Sequence, residues 1–345
     1  MNPQYPEFGY YTLPGHVFTP KDMVEEVRTG DEMGLGSVWI SERHNTKNVE
    51  VLSGLAVAHT PRMGIASGLM TNMPLRNPLV TASYASTMMK LTDNRFSLGV
   101  GRGVDALADI TGTSRLNFNL MEDYIGILRQ LWRGESVNYS GPAGKLRGVT
   151  LGMELDPLPP VIMAVMGDKT SYWAGRFCDG VVYNSLWSAK AVERSTKMVR
   201  QGAKDAGRDP NSVKVWTVLI TACEVDEATM LKDIVRRMNT YLLFPWMMDV
   251  ICEFNGWDRQ VATDLRAALA RIDGEKKQGT LGDENTSRNI DDIRRMFDLY
   301  RRNGYTTAMQ SARQSIAYAA YWIVLTPAPM ACCSTARIPS TSRRC

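Results

Sequence analysis

Four short segments hold the side chains with chemical potential. After the apolar run 37–41 comes Ser41-Glu42-Arg43-His44-Asn45, which sets a carboxylate, a guanidinium and an imidazole side by side. Such a group can hold an oxygen of a substrate or cofactor and shuttle a proton; the plainer alternative is a solvated loop with an ion pair. The chain has only three histidines, so one directly behind an apolar run is informative. A second segment, Ser67-Gly68 followed by Thr71 and Asn72, offers close backbone approach and two hydrogen-bonding side chains, as an ordinary loop also would. The third is Gly99-Val100-Gly101-Arg102-Gly103. Its glycines would let a flat ring approach the backbone, but the spacing is not G-x-G-x-x-G and is no dinucleotide fingerprint. Arg102 is a ligand contact or a surface charge. In the fourth, Gly167-Asp168-Lys169-Thr170-Ser171 opens a helix. The backbone N–H groups there, with Lys169 and Thr170 beside them, suit a phosphate, although the same residues also make a plain helix start. His16 could line the same mouth, and His59 reads as a helix C-terminal residue.

Other chemistries find no footing. There is no H-x-H or H-E-x-x-H pattern and no G-x-S-x-G elbow, so neither a zinc site nor a serine hydrolase is expected. Cys178, Cys223 and Cys252 stand alone, and Cys332, Cys333 and Cys345 lie near the end without a C-x-x-C pair. That spacing reads as reduced thiols in the cytoplasm. No secretory signal and no apolar run long enough to span a bilayer is visible, so a membrane is not an expected partner.

The four segments need a frame that brings them together. The chain has 345 residues, 44% hydrophobic and 22% charged, ordinary values for a globular protein with a sizeable core. Strand-like runs fall at 8–13, 37–41, 63–69, 95–101, 160–166, 180–185 and 213–225. Helical patterns lie between them, after Thr19-Pro20 and at 77–92, 119–133, 169–178 and 188–206, then at 227–243, 258–271 and 289–300. Residues 134–159 break the rhythm as a hairpin excursion with its turn at Gly141-Pro142. Seven strand–helix units favour an α/β chain folded as a (β/α)8 barrel over two Rossmann halves. Catalytic groups of such a barrel sit at the C-terminal strand ends, where the four segments fall. An eighth strand would have to come from the run 316–325, which leaves the last β/α unit doubtful.

Charge marks the same place. The 40 basic and 36 acidic residues give +4, yet no acidic residue follows Asp298, and six arginines lie beyond residue 300. Without those six, 34 basic residues face 36 acidic ones, a charge of −2. The basic excess belongs to the end of the chain and is no sign of a nucleic-acid partner. Residues 1–300 read as the barrel domain. Residues 301–345 read as an atypical basic tail, disordered or the frameshifted remnant of a final unit.

Taken in order, the blocks GYYTLPG, EEVRTGDEMGLGSVWISERHNTK, PRMGIASGLMTNMPLRNPLVTASYASTMMKLTDNRFSLGVGRG, YIGILRQLWRGESV and PPVIMAVMGDKTSYWAGRFCDGVV resemble the luciferase-like flavin and deazaflavin oxidoreductase superfamily. They are most similar to its coenzyme F420-dependent branch. The resemblance covers about residues 8–225. It implies a TIM barrel with an insertion after strand seven, and a non-prolyl cis peptide at Ser67-Gly68 or a neighbour. It implies ring contacts at Glu42, His44, Thr71 and Asn72, and a phosphate at Gly167, Lys169 and Thr170; Ser67, Gly68 and Gly101 join them as cofactor-binding candidates through close backbone approach. One position departs. Many members carry a histidine directly after the acidic residue, where this chain has Arg43, and an arginine does not release its proton at neutral pH. Glu42 or His44 would then serve as proton donor, with Arg43 placing the ring or an anionic substrate. The expected activity is hydride transfer between a deazaflavin and a small organic substrate. The alternatives are an FMN-dependent monooxygenase using oxygen and an inactive, cofactor-carrying barrel. Homo-oligomerisation is plausible on the same resemblance.

Overall fold

The protein is described here by a computed structural model over residues 2–13, 19–44, 46–71, 73–103, 105–220, 245–256, 258, 260, 263 and 321–325. The strands are β1 (Tyr5–Thr12), β2 (Leu35–Ile40), β3 (Gly64–Ser67), β4 (Met70–Thr71), β5 (Phe96–Gly101), β6 (Val137–Gly141), β7 (Gly144–Val149), β8 (Val161–Val165), β9 (Gly180–Tyr183), β10 (Lys214–Ile220) and β11 (Tyr321–Leu325). The helices are α1 (Met23–Glu32), α2 (Val49–Val57), α3 (Pro78–Leu91), α4 (Asp105–Thr111), α5 (Phe118–Trp132), α6 (Asp168–Phe177), α7 (Ala189–Asp205) and α8 (Pro245–Asn255).

Local chemistry sets most helix starts. Asn48, Asn77, Asn117 and Ser188 each accept a hydrogen bond from a backbone N–H of the first turn of α2, α3, α5 and α7. Thr19 behaves otherwise. Its hydroxyl donates to the Asp22 carboxylate, so α1 is entered through the short turn Pro20–Asp22 without a side-chain cap. Helix α1 is followed by Gly34 at φ +75, as its place in the sequence predicts.

Pairing runs β3–β2–β1–β11–β10–β9–β8–β5, and β5 pairs with β3, so eight strands close a ring. Seven are mutually parallel, β1 with β2 and so on around to β10. This is the expected barrel, with one departure. The eighth position is filled from within the run 316–325, but β11 is antiparallel to both β1 and β10. An antiparallel ladder satisfies the backbone groups of two open edges as well as a parallel one does. The hairpin β6–β7 turns at 142–143, next to the predicted Gly-Pro. Helices α4 and α8 are additions to the predicted pattern. The predicted helices 227–243 and 289–300 lie outside the described residues, as does 258–271 apart from isolated positions.

Alternation along the strands divides the core in two. Trp39, Ala66, Ile162, Val182, Trp216 and Val218 fill the barrel, with the Trp39 and Trp216 rings 5.6 Å apart, edge to face. The other strand face, including Val38, Ile40, Leu98 and Val181, packs against the helices. Both parts bury large side chains whose positions fix the strand ends.

Candidate functional site

Parallel strands put their C-terminal ends on one rim. At the end of β2, Glu42 is buried, its side chain 1% exposed, and both carboxylate oxygens face Arg76, which follows β4. Arg76 Nε also donates to Glu50 Oε1 at 2.9 Å. Its carbonyl accepts from the Tyr124 hydroxyl at 3.1 Å, which shares a 2.6 Å bond with Thr81. Burial pulls the Arg76 guanidinium down, but hydrogen bonds and charge from Glu42 and Glu50 outweigh it and leave it above the ordinary arginine value. Burial pushes the Tyr124 phenol up to about 12, the Thr81 hydrogen bond opposing it.

His44 stands beside this buried pair and remains open to solvent. Its side chain is 41% exposed and its Nε2 lies 4.0 Å from Glu42 Oε2. That is ion-pair range, beyond hydrogen-bond range. Arg43 is half-buried, and its Nη1 donates to the Glu42 carbonyl at 2.7 Å. The segment therefore presents an accessible imidazole above an anchored carboxylate. Asn45 and His16 lie outside the described residues. Sequence reasoning missed Arg76, since a basic residue in a βα loop carries no signal until its acidic partner is known to be buried.

Next along the rim, the predicted strand 63–69 is interrupted. The peptide Gly68–Leu69 is cis, one bond from the pair named by the resemblance, and β4 resumes at Met70. Buried Ser67 joins the two strands: its Oγ donates to Gly99 O at 3.0 Å and accepts from Gly99 N at 2.8 Å. A Cβ on Gly68 would lie 2.8 Å from Trp39 Cβ and 2.8 Å from the Tyr11 ring. Thr71 pairs through its backbone with Gly101, and a Cβ on Gly101 would meet nothing nearer than 3.8 Å. Asn72 lies outside the described residues. Arg102 is exposed and paired with Asp105 at 3.6 Å, which favours the surface-charge reading.

After β8, Gly167 begins α6 with φ +90 and no side-chain cap. Its carbonyl accepts from Ser171 N at 3.0 Å and from Ser171 Oγ at 2.9 Å. Asp168, first in the helix, is drawn aside by Arg194 of α7, whose Nη2 reaches it at 2.6 Å. Lys169 is exposed and its ammonium lies 5.5 Å from the Phe118 ring centroid. Thr170 is half-buried. The first-turn N–H groups lack a side-chain acceptor and lie at the same end of the barrel as His44 and Gly101.

Among the described residues no cluster of three His, Cys, Asp or Glu could hold a metal. Cys178 and Cys252 are buried, and burial, with Asp179 nearby, pushes the Cys178 thiol up, which makes it a poor nucleophile. No described helix is long and apolar enough to cross a membrane.

Comparison with known proteins sets this geometry in a family. The model of the luciferase-like monooxygenase family matches residues 6–275. The 5,10-methylenetetrahydromethanopterin reductase of Methanolobus tindarius is 27% identical over 264 residues, covering 75% of this chain and 79% of that one. The F420-dependent glucose-6-phosphate dehydrogenase of Amycolatopsis mediterranei is 30% identical over 221 residues, 59% of this chain and 65% of that protein's length. Among solved structures, the coenzyme F420-dependent tetrahydromethanopterin reductase from Methanopyrus kandleri superposes with a TM-score of 0.62 at 20% identity, covering 86% of this chain and 90% of that one. This last likeness establishes a shared fold.

Proposed function

The chain belongs to the luciferase-like monooxygenase family, and from that premise we propose that it is a coenzyme F420-dependent oxidoreductase acting on a small organic substrate. The relatives whose names carry F420 support the cofactor. The residues present fit such a group. Gly101 ends β5 without a side chain, so the edge of a flat ring can approach the backbone there, and the uncapped start of α6 offers N–H donors to a phosphate. When bound, the deazaflavin supplies a site that accepts or gives up a hydride.

The protein's own residues do the rest. Gly167 and Thr170 hold the phosphate through the helix start, with Lys169 adding positive charge. Ser67, Gly68, Thr71, Asn72 and Gly101 line the ring. His44 gives or takes the substrate proton at its imidazole, and Glu42 is the fixed anion beside it. Arg43 orients an anionic part of the substrate or the ring. The observation that carries this division of roles is the contrast between Glu42, buried against Arg76, and His44, 41% exposed at 4.0 Å from it. The Glu42 carboxylate has both oxygens turned to Arg76 inside the protein, while the exposed His44 imidazole is within reach of a substrate at the rim.

Titrating the purified protein with coenzyme F420 and separately with FMN, following fluorescence, tests the cofactor. Saturable F420 binding is expected; tight FMN binding with no response to the deazaflavin overturns the reading in favour of an oxygen-using monooxygenase. The buried thiols of Cys178 and Cys252 suit a reducing cytoplasm. Self-association is part of the proposal and is checked by light scattering.

A further inference from the structure

One buried charge near the rim has no part in that reaction. Lys47 is 1% exposed, among the largest fully buried side chains. Its ammonium donates to the Leu13 carbonyl at 2.7 Å and to Ser41 Oγ at 2.9 Å. Leu13 directly follows β1 and Ser41 directly follows β2, so one side chain ties together two strand ends. Leu13 is also a strained position, with φ +48 in a region where a branched side chain is costly. Its N–H donates to Glu26 Oε2 at 2.8 Å, so the residue is held on one side by a carboxylate and on the other by Lys47.

The backbone of Lys47 closes the loop that carries Arg43 and His44. Arg43 N donates to Lys47 O at 3.0 Å, Lys47 N donates to Arg43 O at 2.6 Å, and the two residues form a β-bridge. The loop is therefore fixed at its base by the bridge and through the Lys47 side chain to two strand ends. A buried ammonium is expensive to desolvate, and burying it for packing alone is unfavourable where an apolar chain of similar size would fill the space.

We propose that Lys47 is a positioning residue for the Arg43–His44 loop: its ammonium, bonded to Leu13 and Ser41, sets where the imidazole stands on the rim. The inference rests on the reading that His44 works at this rim, but its geometry can be tested without cofactor or substrate.

The test uses the imidazole NMR signals of the full chain, which has three histidines, with the His44 signal identified by its loss in His44→Ala. Lys47→Met keeps length and removes the donors. Ser41→Ala is the milder variant and removes one acceptor while leaving the lysine. The expected result is a shifted or broadened His44 signal in both variants, larger for Lys47→Met, with the other two histidine signals unmoved. Lys47→Arg, which keeps charge and donors, should return the signal toward its original position. If Lys47→Met does not fold, Ser41→Ala and Lys47→Arg carry the test. An unchanged His44 signal in the folded variants overturns the proposal, as does equal movement of all three signals, the mark of a merely structural residue. Failure of wild type to bind coenzyme F420 would count against the proposed function alone and leave this result standing.

Discussion

At the scale of single residues, the Glu42–Arg76 pair is the sharpest feature. Removing Arg76 leaves a buried carboxylate without its cation, a change that typically costs about 3–5 kcal/mol. Arg76→Met should therefore lower stability by roughly that amount in urea unfolding, and adding Glu42→Gln should recover part of it. Additive losses in the double variant would show that the two side chains do not act as a unit. His44→Ala should behave differently. Its side chain is 41% exposed, so stability should change little. Turnover should fall by about 100-fold or more if the imidazole handles the proton, while coenzyme F420 affinity measured by fluorescence stays the same.

At the scale of elements, two joints decide the shape of the rim. The β3–β5 contact is close because residue 99 is glycine: a Cβ there would lie 1.9 Å from Ser67 O. Gly99→Ala should push the strands apart and sharply lower the melting temperature, measured by circular dichroism. The start of α6 depends on Gly167, whose φ of +90 lies where other residues are strained and whose added Cβ would meet the Phe254 ring at 3.4 Å. Gly167→Ala should cost about 1–3 kcal/mol and weaken coenzyme F420 binding more than substitution of exposed Lys169 does. Equal weakening by the two would place the phosphate on the lysine rather than on the helix start.

At the scale of the whole molecule, acid stability and barrel closure are each open to a direct measurement. Asp31, at the C-terminal end of α1, is bonded by Thr60 Oγ1 at 2.5 Å and by Arg62 Nη2 at 2.7 Å. Burial pushes its carboxyl up, yet the hydrogen bonds of Arg62 and Thr60, with the Arg62 charge, more than reverse this and hold it below the ordinary range. A depressed folded value means the stabilisation is fully present above the unfolded value, about 3.9, and disappears as pH falls through the folded one. Unfolding free energy should drop below about pH 4, and Asp31→Asn should flatten that drop while lowering stability at neutral pH. Closure depends on β11, which pairs with both β1 and β10. A chain stopped after residue 320 leaves two strand edges unpaired, and it should melt at lower temperature and aggregate on heating, followed by light scattering.

The sequence alone carried the barrel, because periodicity reports burial locally: each apolar run at 37–41, 95–101 and 160–166 is a strand whose alternate residues face the barrel or the helices. It carried the four rim segments too, since a parallel barrel places whatever follows a strand at one end. The caps were less legible: Thr19, the one cap candidate in the sequence, does not cap α1, while Asn48, Asn77, Asn117 and Ser188, which do cap their helices, were not singled out. The contrast between buried Glu42 and exposed His44 was not legible. It depends on Arg76, 34 residues from Glu42, and on a burial that no residue announces by itself. Nothing in the sequence singles out Lys47, and only the approach of two strand ends encloses it. The direction of β11 was equally out of reach, because an apolar run pairs in either sense and the two strand edges it fills are supplied by the tertiary structure.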